Sequence, residues 1–197
     1  MAKQLDEILV IDLESTCWEG DPPPDQMSEI IEIGICPIDV QSMKRPEKRS
    51  ILVKPEKSQI SEFCTSLTTL TPDMFEQAGT LRDAVAILKR DYHSKERLWA
   101  SWGDYDRRQF ERVCRHFEVG YPFGPSHLNV KTLFATSIGH PHELGLDGAY
   151  HILGEQLEGT HHRGDDDAWN IAGVLCRMLR KLRGEPLATE ANSPPGP

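Results

Sequence analysis

The chain has 197 residues, of which 38% are hydrophobic and 27% are charged, values typical of one globular domain with a proper core. No apolar run reaches the length that spans a bilayer, and the N-terminal segment lacks the layout of a signal peptide. The balance of 22 basic and 31 acidic residues gives a net charge of −9. This balance argues against a protein that coats long nucleic acids, but it allows one that grips a few nucleotides at an end.

The sequence pattern of the first half of the chain predicts strands followed by a helix. A near-continuous apolar run and two partly alternating segments predict strands at residues 8–12, 29–40 and 49–55. Residues 71–73 have the form of a helix start, with proline at the first helical position. Thr80 then reads as the N-cap of a helix over residues 81–93.

The second half alternates strand and helix. Its pattern predicts a strand at 97–102, a helix at 106–117, a short strand at 127–130 and a helix at 167–184. Trp99 and Trp102 are assigned to the core. No internal repeat is present, so residues 1–184 are expected to form one α/β domain, followed by a disordered tail at 185–197.

The cysteines are five in number, widely spaced and without a C-x-x-C pair. Neither a zinc knuckle nor a disulfide framework is therefore indicated. Reduced cysteines are typical of cytosolic proteins, and a cytoplasmic location without membrane attachment is expected. The residues are Cys17, Cys36, Cys64, Cys114 and Cys176.

Two acids follow the first predicted strand. Asp12 and Glu14 are two positions apart, so on a strand they share one face while Leu13 points to the other. Adjacent carboxylates repel each other, and hard divalent cations bound by their oxygens are the usual compensation. A frayed strand end with solvated acids is the alternative, because this pattern is common by chance.

A second acidic group opens the last predicted helix. Asp165, Asp166 and Asp167 suit the N-terminal end of a helix, where acids are favourable without any metal. His162 lies five residues before Asp167, and a histidine there could take a proton from water. His161 is expected to be a surface residue.

Three segments together resemble a known family. "IDLEST" (11–16), "GDYDRRQF" (103–110) and "HRGDDDAWNIA" (162–172) are similar to the three motifs of the DEDDh 3′–5′ exonucleases. The likeness is greatest to the branch that trims histone mRNA and small interfering RNA ends, where it extends to residues 20–24 and 62–71. This resemblance implies a ribonuclease H-like fold, with a central mixed β-sheet flanked by α-helices.

The resemblance also implies a catalytic set. Asp12, Glu14, Asp106 and Asp167 would hold two divalent cations, Mg²⁺ or Mn²⁺, and His162 would be the general base. Such a cation pair activates a water and stabilises the leaving oxygen of a phosphodiester. Asp165 and Asp166 would then be capping or solvated residues.

The third acid of the set needs a choice between two neighbours. Asp104 and Asp106 both lie in the second motif. In the branch of greatest likeness the acid comes four residues before a phenylalanine, and Asp106 stands in that relation to Phe110. Tyr105 departs from that branch, in which a tryptophan can stand before the third acid.

Substrate contacts follow from the same resemblance. Phe63 and Tyr105 match positions whose rings sandwich the terminal base, although core packing of Phe63 beside Leu67 and Leu70 is an alternative. Base stacking tolerates any sequence. The main chain after the first strand is expected to approach the terminal sugar, at Ser15, Thr16 and Cys17.

The expected function is cleavage of single-stranded nucleic acid from its 3′ end, with release of nucleoside 5′-monophosphates and with RNA favoured over DNA. A DNA-specific exonuclease and a catalytically inactive nucleic-acid-binding module of the same fold are alternatives. A third is an unrelated metallohydrolase that uses the histidines His140, His142, His151, His161 and His162. No determinant for the 2′-hydroxyl and no protein partner can be identified.

Overall fold

The computed structural model describes residues 2–184, which form a mixed five-stranded sheet with the strand order β3-β2-β1-β4-β5. The central strand β1 is antiparallel to β2 and parallel to β4, while β2–β3 is antiparallel and β4–β5 is parallel. The strands are β1 (Gln4–Ser15), β2 (Ile30–Asp39), β3 (Arg49–Leu52), β4 (Arg97–Ser101) and β5 (His127–Asn129).

Six α-helices and one short 3₁₀ helix complete the part of the chain that the structure describes. The α-helices are α1 (Glu62–Thr68), α2 (Leu81–Asp91), α3 (Tyr105–His116), α4 (Val130–Ser137), α5 (Leu146–Leu153) and α6 (Gly164–Leu182). The 3₁₀ helix spans Pro72–Phe75. Among these helices, none combines the length and the apolar character that crossing a membrane would require.

Helices cover both faces of the sheet, which explains the near-continuous apolar run of β1. Leu9 and Ile11 point to one face and pack with residues of α2 and α3. Ile8 and Val10 point to the other face and pack with residues of α4, α5 and α6. The strand that ends in Asp12 and Glu14 is therefore held rigidly from both sides.

The α/β fold and all five predicted strands are confirmed, with shorter bounds for four of the strands. The predicted helices correspond to α2, α3 and α6, and Thr80 caps α2 through a capping box with Asp83. The helix start expected at residues 71–73 is only a 3₁₀ turn, and Thr71 makes no side-chain cap bond. The tail expected at 185–197 lies outside the described residues.

The last helix begins earlier than its sequence pattern predicts. Its first residue is Gly164 rather than Asp167, and Arg163 stands at the N-cap without a side-chain cap bond. None of the three aspartates is therefore the N-cap; all three lie in the first turn. Lys48 contacts the carboxylates of both Asp165 and Asp166.

The beginning of α6 packs directly on the backbone of β2. A Cβ atom added to Gly34 would overlap the carbonyl group of Gly164, and one added to Gly164 would lie 2.9 Å from the Gly34 nitrogen. Two chain segments that are far apart in sequence can approach this closely only because neither residue has a side chain.

Replacing Gly34 with alanine should therefore destabilise the fold, because the obstacle is the backbone of Gly164, which cannot rotate away. We expect Gly34→Ala to lower the free energy of unfolding by about 3 kcal/mol or more, as overpacking does at its upper range. Urea unfolding followed by circular dichroism measures this. Gly20→Ala is the matched control, since no atom lies within 4 Å of the added Cβ; equal stability of the two variants would contradict the close packing.

Candidate active site

The acids of the first motif lie at the carboxyl end of β1, in the middle of the sheet. In the β1–β2 ladder Asp12 is opposite Gly34 and Glu14 is opposite Glu32. The register shifts between Glu14 and Ser15, so regular pairing ends where the acids stand. Both carboxylates face the same side, as their spacing predicts.

A cleft of about 330 Å³ opens at this strand end. Segments distant in the chain line it, because α3 and α6 both begin at this edge of the sheet. Its titratable lining residues are Asp12, Glu14, Asp106, His161, His162 and Asp167. The four acids and the histidine expected from the sequence are thus brought together.

Three of these acids meet closely. Oxygens of Asp12, Glu14 and Asp167 all lie within 4.8 Å of one another. The fourth acid, Asp106, is 3% exposed, and its Oδ1 accepts a hydrogen bond of 3.1 Å from the Leu13 main-chain nitrogen. Asp106 and Asp167 lie in the first turns of α3 and α6, whose positive ends favour negative charge.

The clustering disfavours ionisation. Burial, followed by the charges of Asp106 and Glu14, raises the pKa of Asp12 well above its usual value. Burial and the charge of Asp167 raise the pKa of Glu14 to about 8. Burial alone raises the pKa of Asp106 to about 7, against hydrogen bonds that lower it. A site made of oxygen ligands that lacks compensating positive charge fits a hard divalent cation.

The structure separates the two candidates for the third acid. Asp106 is buried and lines the cleft. Asp104 is turned away, with its Oδ1 3.2 Å from the Nη2 atom of Arg107 and 4.0 Å from the Nδ1 atom of His127. The placement therefore favours Asp106.

The two neighbouring histidines both line the cleft. Their rings stack with centroids 4.0 Å apart, and the His162 main-chain nitrogen donates a hydrogen bond of 2.9 Å to Asp167. His162 adopts a left-handed backbone conformation with φ of 62°. Burial and the neighbouring His161 lower the pKa of His162, which favours the neutral ring that a base requires.

His161 is a surface residue, as expected, but its ring also contacts an acid of the site. Its side chain is 42% exposed, yet its Nδ1 lies 3.0 Å from one carboxylate oxygen of Asp167 and 3.1 Å from the other. The left-handed turn at His162 explains this, because it folds both rings back over the start of α6.

The two rings expected to hold a base differ in position. Tyr105 is 56% exposed and lines the cleft. Phe63 is 39% exposed on α1, so the alternative of core packing is wrong for this residue. Leu67, one turn further along α1, contributes to the cleft lining instead of Phe63.

The main chain after β1 is fixed by side-chain hydrogen bonds. Ser15 and Cys17 line the cleft, whereas Thr16 does not. The Ser15 hydroxyl accepts a hydrogen bond of 3.0 Å from Gln109 Nε2, and the Thr16 hydroxyl bridges residues 27 and 29 across the loop. Thr16 therefore supports the segment without facing the cleft.

Besides Leu67 and His161, sequence reasoning missed Trp102 and Leu146 as contributors to the cleft. Trp99 is in the core at 1% exposure, as expected. Trp102 lines the cleft, and its Nε1 donates a hydrogen bond of 3.1 Å to the carbonyl of Leu144. Leu146, at the start of α5, lines the cleft beside it. Helix α5 was not predicted, so no sequence signal placed these residues together.

A buried acid behind the cleft was also missed. Glu32 is 0% exposed, and its carboxylate contacts Arg163 Nη2 at 3.0 Å and the Gly164 main-chain nitrogen at 2.8 Å. Ser50 donates a further hydrogen bond to it. The sequence did carry a signal for Glu32, which is an acid inside the apolar segment 29–40. An acid in such a segment is rarely buried without partners, so its position indicates a buried ion pair or hydrogen-bonded group.

The remaining histidines do not join the site. His140 makes hydrogen bonds with the main chain of His142, as a loop residue would. Neither of these residues nor His151 lines the cleft. The metallohydrolase alternative that uses all of the histidines is therefore not supported.

Comparison with known proteins agrees with this geometry. The exonuclease family model RNase_T matches residues 9–175. Human 3′-5′ exoribonuclease 1 is 30% identical over 188 residues, which are 89% of this chain and 53% of the relative. The chain thus spans about half the length of this curated relative.

Solved structures extend the likeness to the fold. The nuclease domain of 3'hExo, a DEDDh family member bound to rAMP, superimposes with a TM-score of 0.80 at 28% identity, covering 92% of this chain and 95% of that one. A structure of a 3'-exonuclease that recognises the histone mRNA stem-loop superimposes with a TM-score of 0.79 at 27% identity, covering 91% of this chain and 65% of that one. The chain belongs to the exonuclease family, among the DEDDh exonucleases of the 3′-5′ exoribonuclease 1 branch.

Proposed function

We propose that this chain is a metal-dependent 3′–5′ exonuclease that releases nucleoside 5′-monophosphates from single-stranded RNA. The observation that carries the proposal is the convergence of four acids and a histidine in one cleft beside an exposed tyrosine ring. The human relative is named a 3′-5′ exoribonuclease, and the 3'hExo nuclease domain was solved with rAMP.

The acids are assigned to two divalent cations, Mg²⁺ or Mn²⁺. Asp12 would serve both, with Glu14 and Asp167 completing one set of ligands and Asp106 supporting the other. When bound, such cations supply the positive charge that offsets a phosphodiester and its leaving oxygen. Oxygen ligands favour these ions over softer metals.

His162 is assigned to proton transfer. The residue lines the cleft together with the acids, and its lowered pKa favours a neutral ring whose free nitrogen can accept the proton of an attacking water. The hydrogen bond from its main-chain nitrogen to Asp167 fixes its distance from the acids.

The terminal nucleotide is assigned to the side of the cleft that Tyr105 lines. Its ring offers a stacking surface, worth roughly 1–3 kcal/mol per base. Phe63 could complete a sandwich from α1, and the Ser15–Cys17 main chain would face the sugar. Accepting one end of a strand in this way favours exonuclease over mid-strand cleavage.

Two alternatives differ in substrate or activity. A DNA-specific exonuclease would use the same cleft, because no residue identified here distinguishes a 2′-hydroxyl. An inactive binding module is less well supported, since all five catalytic side-chain types are present in the cleft. The cytoplasmic location stays a prediction.

Asp12→Asn should abolish activity while stabilising the metal-free fold. The pKa of Asp12 is raised in the folded chain, so its ionised form opposes folding increasingly as pH rises. In EDTA at pH 9 the variant should melt at least about 2 °C higher than the wild type, equivalent to about 1 kcal/mol for a chain of this size. The gain should shrink at pH 5; an equal or lower melting temperature at pH 9 would contradict the repulsion.

His162→Ala and Asp106→Asn should both lose activity, but only one should lose metal. General-base loss costs about 10²–10⁴-fold in rate, and His162→Ala should keep manganese affinity in calorimetry. Asp106→Asn should weaken manganese binding as well. Asp104→Asn is the matched control and should reduce activity only mildly. A severe loss of activity in Asp104→Asn together with an active Asp106→Asn would make Asp104 the third acid of the site.

Matched 5′-labelled RNA and DNA strands test the proposed function itself. Linear single strands should shorten from the 3′ end with nucleoside 5′-monophosphates as products, and circular single strands should resist. Paired 3′ ends should react more slowly, since a base must first unstack at a cost of a few kcal/mol. Fragments from circular strands would exclude an exonuclease, and faster digestion of DNA than RNA would favour the DNA-specific alternative.

A further inference from the structure

One exposed edge of α3 is unusually basic for this acidic chain. Arg108, Arg112, Arg115 and His116 are all exposed, and they follow Tyr105 along the helix. With about 100° of rotation per residue, all four lie within about 80° of the direction of Tyr105. The edge therefore starts at the cleft and runs away from it over about 17 Å.

Two acidic residues lie close to this edge without facing the cleft. Glu111 and Glu118, the latter just beyond the helix end, project about 120° or more away from the direction of Tyr105, but Glu111 is only about 40° from Arg115 around the helix. In residues 2–184, no carboxylate lies within 4.0 Å of a basic nitrogen of Arg108, Arg112 or Arg115. Most other arginines are paired, including Arg107 on the neighbouring side of α3. No carboxylate thus neutralises these three arginines, although Arg112 is engaged in hydrogen bonds to Ser28 and Gln109.

A second segment adds to the same edge. Lys57, in the loop after β3, places its Nζ 2.9 Å from Nε2 of His116 and 6.0 Å from the ring centroid of Phe117. The Lys57 ammonium donates to this ring nitrogen, so a positive charge from a different part of the chain is held at the far end of α3.

Hydrogen bonds tie this edge to the cleft. Arg112 Nη2 donates a bond of 2.9 Å to the Ser28 carbonyl and also contacts the Gln109 side chain. Gln109 in turn donates to the hydroxyl of Ser15, which lines the cleft. The spatial relation between the basic edge and the cleft is therefore fixed.

We propose that this edge of α3, with Lys57, binds the backbone phosphates of the nucleotides that precede the 3′ terminus. The inference rests on the proposed function, since it extends the same strand beyond the cleft. Phosphates carry one negative charge each and attract arginine without regard to sequence. The partner is an extended single strand, because the cleft takes an unpaired end.

The test measures binding without cleavage, in the Asp12→Asn background. A 5′-fluorescent 12-nucleotide oligouridylate is titrated with MgCl₂ held constant and KCl varied. Adding Arg108→Ala and Arg115→Ala should weaken binding about tenfold and reduce the salt slope by about 1.4, since a single strand gives about 0.7 per phosphate contact. Arg82→Ala with Arg183→Ala is the matched control, because both side chains are exposed away from α3 and their replacement removes the same charge.

A second ligand makes the result independent of any effect of the variants on folding. We compare a 12-mer whose linkages upstream of the last two nucleotides are uncharged methylphosphonates. The Asp12→Asn parent should bind this ligand about as weakly as the double-arginine variant binds the charged 12-mer. The double-arginine variant should lose little further affinity when the charged ligand is replaced by the uncharged one. If this variant and the control bind the charged 12-mer with equal affinity and salt slope, the edge is not the phosphate site. If the wild type with Mg²⁺ fails to shorten the same 12-mer from its 3′ end, the proposed function itself fails.

Discussion

The mutual repulsion of four carboxylates in one cleft is the constraint on which the rest of the structure depends. Asp12 and Glu14 are held by β1, Asp106 by α3 and Asp167 by α6, so no acid can move away without moving a packed element. Helices on both faces of the sheet supply the rigidity, and the first turns of two helices supply part of the positive field. The folded chain is thereby prepared for cations before any are bound, which is how a preorganised site avoids rearrangement during a reaction.

The ion pair between Glu32 and Arg163 links the repulsion among the acids to the packing of α6 on β2. Glu32 adds a fifth negative group near the cleft, and it contributes to the raised pKa of Asp12 and of Glu14, whereas Arg163 acts on the pKa of Glu14 in the opposite direction. The hydrogen bonds that Arg163 and Gly164 donate to the Glu32 carboxylate offset the cost of burying its charge. The same bonds hold the first turn of α6 against β2, so charge compensation and placement of Asp167 come from one set of contacts.

The sequence carried enough information for the sheet and the acids, but not for the whole cleft. The apolar run before Asp12 predicts a strand covered on both faces, and the long stripe of α6 has strong helical periodicity; both are local signals. Helices α1, α4 and α5 have only 7 or 8 residues each, too short for their periodicity to stand out. Trp102 and His161 could not be assigned to the cleft because their positions depend on α5 and on a left-handed turn, which are consequences of tertiary packing.

The contact between Gly34 and Gly164 has a consequence for how such an enzyme can change over generations. Because backbone meets backbone there, the distance between β2 and α6 is set without reference to the volume of any side chain. Substitutions in the apolar core can then accumulate and compensate for one another while the fourth acid stays at the same depth. The two glycines act as a fixed spacer, which separates the freedom of the core to drift from the geometry that the chemistry requires.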